Sequence, residues 1–165
     1  MSNPLLSDAQ LHQLAARLGE QLRRNHDRLV TAESCSGGWV AKALTDVIGS
    51  SDWFDGGMVV YSYAAKQALL GVSAHTLEKH GAVSRETVLE MVSGALRHSA
   101  ASLAVALTGI AGPNGGSAEK PVGMVWIGWK RRGGPSHAEC FYFHGNREAI
   151  RRQAVAAALY GLENK

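Results

Sequence analysis

The chain has 165 residues, 45% of them hydrophobic, enough to bury a core without disulfides or a structural metal, and its length suits one domain spanning residues 1–165. A formal charge of +3 favours small anionic ligands, but the basic residues form no dense stripe and carry no base-reading motif, which argues against nucleic acid as a partner. No run approaches the roughly 18 apolar residues of a membrane span, and the amino terminus carries neither a basic leader nor a continuous apolar stretch. Cys35 and Cys140 follow neither a CxxC spacing nor the dense pattern of secreted scaffolds. A soluble protein of the reducing cytoplasm is expected.

Ser7 followed by Gln10 reads as a capping box opening an amphipathic helix, with Leu11, Leu14, Ala15, Leu18 and Leu22 at helical spacing. Arg28 to Ala32 reads as a strand, and Gly37-Gly38 leads into the helical stretch WVAKALTDVIG, so residues 33–38 form a strand-to-helix turn. A second strand is expected over Met58 to Ser62 and a helix over Ala64 to Leu70, stopped by Gly71. Ser84 caps a long helix running to about His98, with Val88, Met91, Val92 and Leu96 on one face. Leu103 to Leu107 is an apolar, buried strand. The following TGIAGPNGGSAEKP holds four glycines and two prolines in 14 residues, which excludes regular structure and allows close backbone approach to a ligand. Val122 to Lys130 and His137 to Phe143 pair as an antiparallel hairpin, and a last helix starts near Arg147. Strands that alternate with helices and end in a hairpin predict an α/β fold, a three-layer α/β/α sandwich with a mixed sheet.

Two segments carry chemistry. In AESCSGG, Ser34 stands at the carboxyl edge of a strand, and the backbone N–H groups near Cys35, Ser36 and Gly37 can hold a developing oxyanion or a phosphate. A serine hydroxyl needs a base; GxSxG is absent and the seven histidines are scattered, whereas Lys66 in YSYAAKQALLG has small or apolar neighbours that favour a neutral amine. Cys35 is a rival nucleophile, with no histidine near it in sequence. On the residues alone, Ser34 reads first as an ordinary helix cap, and Lys66 is open to reading as an exposed helix lysine.

AESCSGG, VVYSYAAKQALLGV, HGAVS, LTGIAGPNGGSAEKPVG and HGNREAIRRQA, in that order from about residue 8 to the end, together resemble the CinA carboxyl-terminal domain family, which includes stand-alone nicotinamide-nucleotide amidohydrolases. The resemblance implies a serine amidohydrolase converting nicotinamide mononucleotide to nicotinate mononucleotide and ammonia, with no cofactor or metal. Its catalytic serine falls on Ser34 and its lysine on Lys66. Arg147 matches the arginine of the family's GxR stretch and becomes the expected phosphate ligand. Thr108 and Gly109 are expected to contact the ligand where the glycine-rich loop opens. Tyr61 and Tyr63, if in strand geometry, share a face on which either can stack on the pyridinium ring. Lys42 and Lys120 are expected to be solvated. The chain departs from the common family pattern at Tyr63, where asparagine is frequent, and at Ser36, where threonine is. A homodimer or higher homo-oligomer is expected. The competing readings are a non-catalytic nucleotide-binding module and an interaction protein connected with competence or DNA damage.

Overall fold

The computed structural model describes residues 5–163 and Lys165. Helix α1 (Asp8–Arg24) begins at a reciprocal capping box, in which Ser7 Oγ accepts from the Gln10 N–H and the Gln10 side chain accepts from the Ser7 N–H. Strand β1 (Leu29–Glu33) is buried along its whole length. Helix α2 (Trp39–Thr45) stops one turn short of the expected stretch to Gly49, because Gly49 takes a left-handed conformation and a single 3-10 turn, Ser50–Asp52, follows. Strand β2 (Phe54–Val59) lies earlier than Met58 to Ser62, since Ser62 is used as a cap, its Oγ accepting from the Ala65 N–H of helix α3 (Tyr63–Leu70).

Helix α4 (Ala74–His80) was not anticipated: at seven residues, with only Thr76 and Leu77 buried, it is too short to show a period. Helix α5 (Arg85–Arg97) starts at the Ser84 cap as expected. Strands β3 (Leu103–Gly109), β4 (Met124–Arg131) and β5 (Ser136–Tyr142) precede helix α6 (Arg147–Leu162), which Asn146 caps.

The five strands form one sheet in the order β2-β1-β3-β4-β5. The first three run parallel, and β4 and β5 add antiparallel. Alternation along each strand divides the core in two. Leu29, Leu103, Val105, Leu107, Val125, Ile127 and Trp129 pack under α1, α2 and α6. Val30, Ala32, Ala104 and Ala106 pack under α3, α4 and α5. The residues on this second face are small, and a Cβ on Gly128 would lie 3.2 Å from the Val88 carbonyl oxygen, so α5 seats close against the sheet. Away from the site, Asp27 accepts from Ser102 Oγ at 2.7 Å and from both Arg131 Nη atoms at 2.7 and 3.0 Å, tying the entry of β1 to β3 and β4. No helix among the described residues is long and apolar enough to cross a membrane.

This topology brings the carboxyl ends of the three parallel strands to one edge, the usual position of a ligand crevice in an open α/β sheet. Ser34 follows β1, Val60 and Tyr61 follow β2, and Thr108 and Gly109 end β3.

Candidate active site

Ser34 opens a five-residue turn, Ser34–Gly38, whose Gly37 and Gly38 have φ of +61° and +96°, conformations that side-chain-bearing residues rarely adopt. The turn lets the chain reverse from β1 into α2 while keeping Ser34 at the cleft. Lys66, one turn into α3, is 1% exposed, and its Nζ lies 2.9 Å from Ser34 Oγ, 2.9 Å from the Val60 carbonyl oxygen and 3.2 Å from that of Tyr61. No carboxylate is among these partners. Burial therefore dominates and lowers the Lys66 pKa below the ordinary lysine value, toward the neutral amine a base requires. Burial pushes the Cys35 thiol up to about 12, with Glu33 adding to the effect, so the rival nucleophile stays protonated.

Among the turn amides, the N–H of Ser34 donates to Leu107 O and that of Gly37 to Ser34 O, at 3.1 and 3.0 Å. Gly37, expected among the oxyanion donors, has thus already spent its N–H within the turn. The N–H groups of Cys35 and Ser36 have no hydrogen-bond partner among the described residues.

A cleft lined by Ser34, Cys35, Tyr61, Lys66, Thr108, Gly109 and Arg147, together with Ala82, Val83 and Ala111, has a volume of about 160 Å³. Arg147 is exposed at the start of α6 and its Nη1 donates to the Gly112 carbonyl at 2.7 Å, fixing the glycine-rich loop while leaving further donors free. Thr108 is buried, and its Oγ1 donates to the Ala82 carbonyl at 2.8 Å. Gly109 packs tightly on β4, where a Cβ would meet Val125 Cγ2 at 2.6 Å.

Two expectations change. Tyr61 and Tyr63 do not share a strand face, because the strand ends at Val59 and Tyr63 is the first residue of α3. Tyr61 lines the cleft at 65% exposure, whereas Tyr63 Oη accepts from the Ala82 N–H at 3.3 Å and so braces the 81–84 segment. Lys120 is half-buried rather than fully solvated: its Nζ donates to the His80 carbonyl at 2.5 Å, joining the glycine-rich loop to the residue just before that segment. Lys42 is exposed and pairs with Asp46 at 2.6 Å.

Two residues of the site take roles that the sequence does not reveal. Arg151 sends Nε to the Cys35 carbonyl and Nη2 to the Ser36 carbonyl, each at 3.0 Å, and lies over the Trp39 ring. The neighbouring Arg152 instead pairs with Asp8 and Glu148. Glu33, fully buried behind the turn, accepts from Ser36 Oγ and from the Val40 and Ala41 N–H groups in the first turn of α2. An acid closing an otherwise buried strand directly before Ser34 was the one available hint.

A family model of the CinA C-terminal domain matches residues 11–165. The chain is 50% identical over 159 residues, 95% of each chain, to the nicotinamide-nucleotide amidohydrolase PncC of Escherichia coli K12. It is 53% identical to the protein of the same name from Pseudomonas putida, covering 90% of this chain and 92% of that one. Among solved structures, a competence/damage inducible protein from Agrobacterium tumefaciens superposes with a TM-score of 0.92 at 44% identity, covering 98% of both chains.

Proposed function

This chain belongs to the CinA C-terminal domain family, and on that premise we propose that it hydrolyses the carboxamide of nicotinamide mononucleotide through a Ser34–Lys66 dyad. The observation that carries the reading is the 2.9 Å approach of a buried lysine amine to the serine at the strand edge. The names of the amidohydrolase relatives supply the substrate class.

The three partners of Lys66 Nζ explain how it acts. As an ammonium it donates to Ser34 Oγ, Val60 O and Tyr61 O. As a neutral amine it has two N–H bonds for the two carbonyls, and its lone pair then faces Ser34. Ser34 O–H donates to that lone pair, gives up its proton as Oγ attacks the carboxamide carbon, and the tetrahedral oxyanion takes the N–H groups of Cys35 and Ser36. Lys66 returns the proton to the leaving nitrogen and ammonia departs. Water, deprotonated by Lys66, then cleaves the Ser34 ester, releasing nicotinate mononucleotide and restoring the hydroxyl. The cleft holds no carboxylate against the pyridinium charge, so the substrate's own phosphate, held by Arg147, balances it.

The direct test is ammonia release from nicotinamide mononucleotide by the purified protein, with nicotinate mononucleotide as co-product. Binding without ammonia above background would replace this reading with a non-catalytic nucleotide-binding module. The pH profile gives a second check. Only neutral Lys66 is a base, so kcat/KM rises with pH to a plateau whose midpoint lies below the ordinary lysine value of 10.5. A profile that instead loses activity through the neutral and mildly alkaline range would place the base elsewhere.

Arg147→Ala tests the phosphate end. A charge-assisted hydrogen bond contributes about 1.5–3 kcal/mol, so kcat/KM for the mononucleotide falls roughly 10- to 150-fold. The riboside, which lacks the phosphate, loses far less. Equal losses on both substrates would assign Arg147 only to fixing the Gly112 loop.

The cytoplasm, where pyridine nucleotides are salvaged, is the proposed setting. A homo-oligomer is proposed as the working assembly, and mass in solution decides it.

A further inference from the structure

Glu33 is the one fully buried carboxylate at the site, and the dyad chemistry does not use it. Its Oε1 accepts from Ser36 Oγ at 2.8 Å and from the Val40 N–H at 2.9 Å, and its Oε2 accepts from the Ala41 N–H at 2.9 Å and from Thr31 Oγ1 at 3.2 Å. Four donors converge on it, and no cation does. A buried carboxylate is costly unless fully hydrogen-bonded, so an apolar residue here would be the simpler solution for stability alone.

The placement of those donors gives the carboxylate its purpose. Helix α2 begins at Gly38, which has no side chain to cap it, and Glu33 caps it from the preceding strand instead. The same oxygen that receives Val40 also receives Ser36, so one carboxylate fixes the far end of the turn to the residue immediately before Ser34. Between these two anchor points lie Cys35 and Ser36, whose N–H groups are unpaired, while Arg151 holds their carbonyls from the other side. The peptide units are therefore gripped at their oxygens and at the Ser36 side chain, with only their N–H groups left free.

We propose that Glu33 is a positioning residue for acyl transfer: its buried carboxylate locks the Ser34–Gly38 turn so that the Cys35 and Ser36 N–H groups are preorganised for the oxyanion. The proposal rests on the amidohydrolase reading above. Preorganisation matters in the transition state and little in the ground state, so its loss appears in kcat rather than KM. Glu33 touches neither the cleft nor Lys66, which separates it from the residues that react or bind.

The test is steady-state kinetics of Glu33→Gln on nicotinamide mononucleotide, with wild type alongside. Glutamine keeps the volume but offers one acceptor oxygen and turns an NH2 toward an incoming N–H. The expected result is a kcat lower by roughly tenfold to a hundredfold with KM within about twofold, milder than the roughly hundred- to thousandfold loss on deleting an oxyanion donor. Ser36→Ala, which removes one of the four donors and leaves the backbone N–H in place, shifts kcat in the same sense by a few fold. If Glu33→Gln does not fold, Ser36→Ala decides the matter. An unchanged kcat in the folded variant, or a loss carried by KM, overturns the proposal. Wild-type protein that releases no ammonia overturns the amidohydrolase reading itself, whatever the variants do.

Discussion

Replacing either Ser34 or Lys66 by alanine is expected to lower ammonia release from nicotinamide mononucleotide by three orders of magnitude or more, while the protein stays folded. The magnitude follows from how a nucleophile and its base act together: without the lysine the hydroxyl is not deprotonated, and without the hydroxyl there is no acyl-enzyme, so each loss is near total. For the same reason the double variant should be scarcely worse than either single one. Ser34→Ala removes one oxygen from a buried position and leaves the turn's backbone bonds intact. Lys66→Ala opens a cavity and strips two carbonyls of their donor, so Lys66→Met, which fills the volume, is the better companion. Ammonia assays with circular dichroism of each variant check the prediction. Full activity in either single variant would remove that residue from the mechanism, and a loss confined to Cys35→Ala would move the nucleophile to sulfur.

Gly123→Ala is expected to lower the thermal midpoint by about 4–20 °C. Two separate penalties combine. Gly123 has φ of +95°, a left-handed backbone that costs an alanine roughly 1–2 kcal/mol. A Cβ there would also sit 2.0 Å from the Phe143 carbonyl oxygen, which is backbone and cannot swing aside as a side chain would. Overpacking of that kind costs about 1–3 kcal/mol. Each kcal/mol shifts the midpoint of a chain this size by about 2–4 °C. Gly133→Ala is the control, since Gly133 has φ of +77° with nothing within 4 Å of its Cβ position, so it carries the conformational penalty alone. Midpoints measured by circular dichroism should differ by several degrees; equal midpoints would mean that Phe143 moves at little cost.

The long elements were legible because their signals are local. The α1 box at Ser7 and Gln10, the α5 face at Val88, Met91, Val92 and Leu96, and the alternation of the hairpin each sit within a few neighbouring residues. The order of the strands was not legible, since β1 comes to lie between β2 and β3 through contacts far apart in sequence. The candidate dyad was named from a family resemblance, because 32 positions separate Ser34 from Lys66 and neither residue type is distinctive alone. Tyr63 misled because YSY reads as strand residues, yet Ser62 caps a helix there and local alternation cannot reveal a change of element. Glu33 and Arg151 were invisible for a related reason. A buried acid and one arginine among three acquire meaning only when the turn between them is seen in space.

Arg147 and Arg151 stand one helical turn apart on α6, about 6 Å along its axis. The first grips the glycine-rich loop at Gly112 and the second grips the nucleophile turn at Cys35 and Ser36. Two walls of the cleft therefore hang from a single strut, and that strut buries nine of its residues in the core. Each wall is thereby positioned against the same packed helix. The rest of the rim is formed by exposed Tyr61 and the 80–84 segment, which Tyr63, Thr108 and Lys120 brace. A shift of α6 would therefore reach the nucleophile turn and the glycine-rich loop together, altering both sides of the cleft at once.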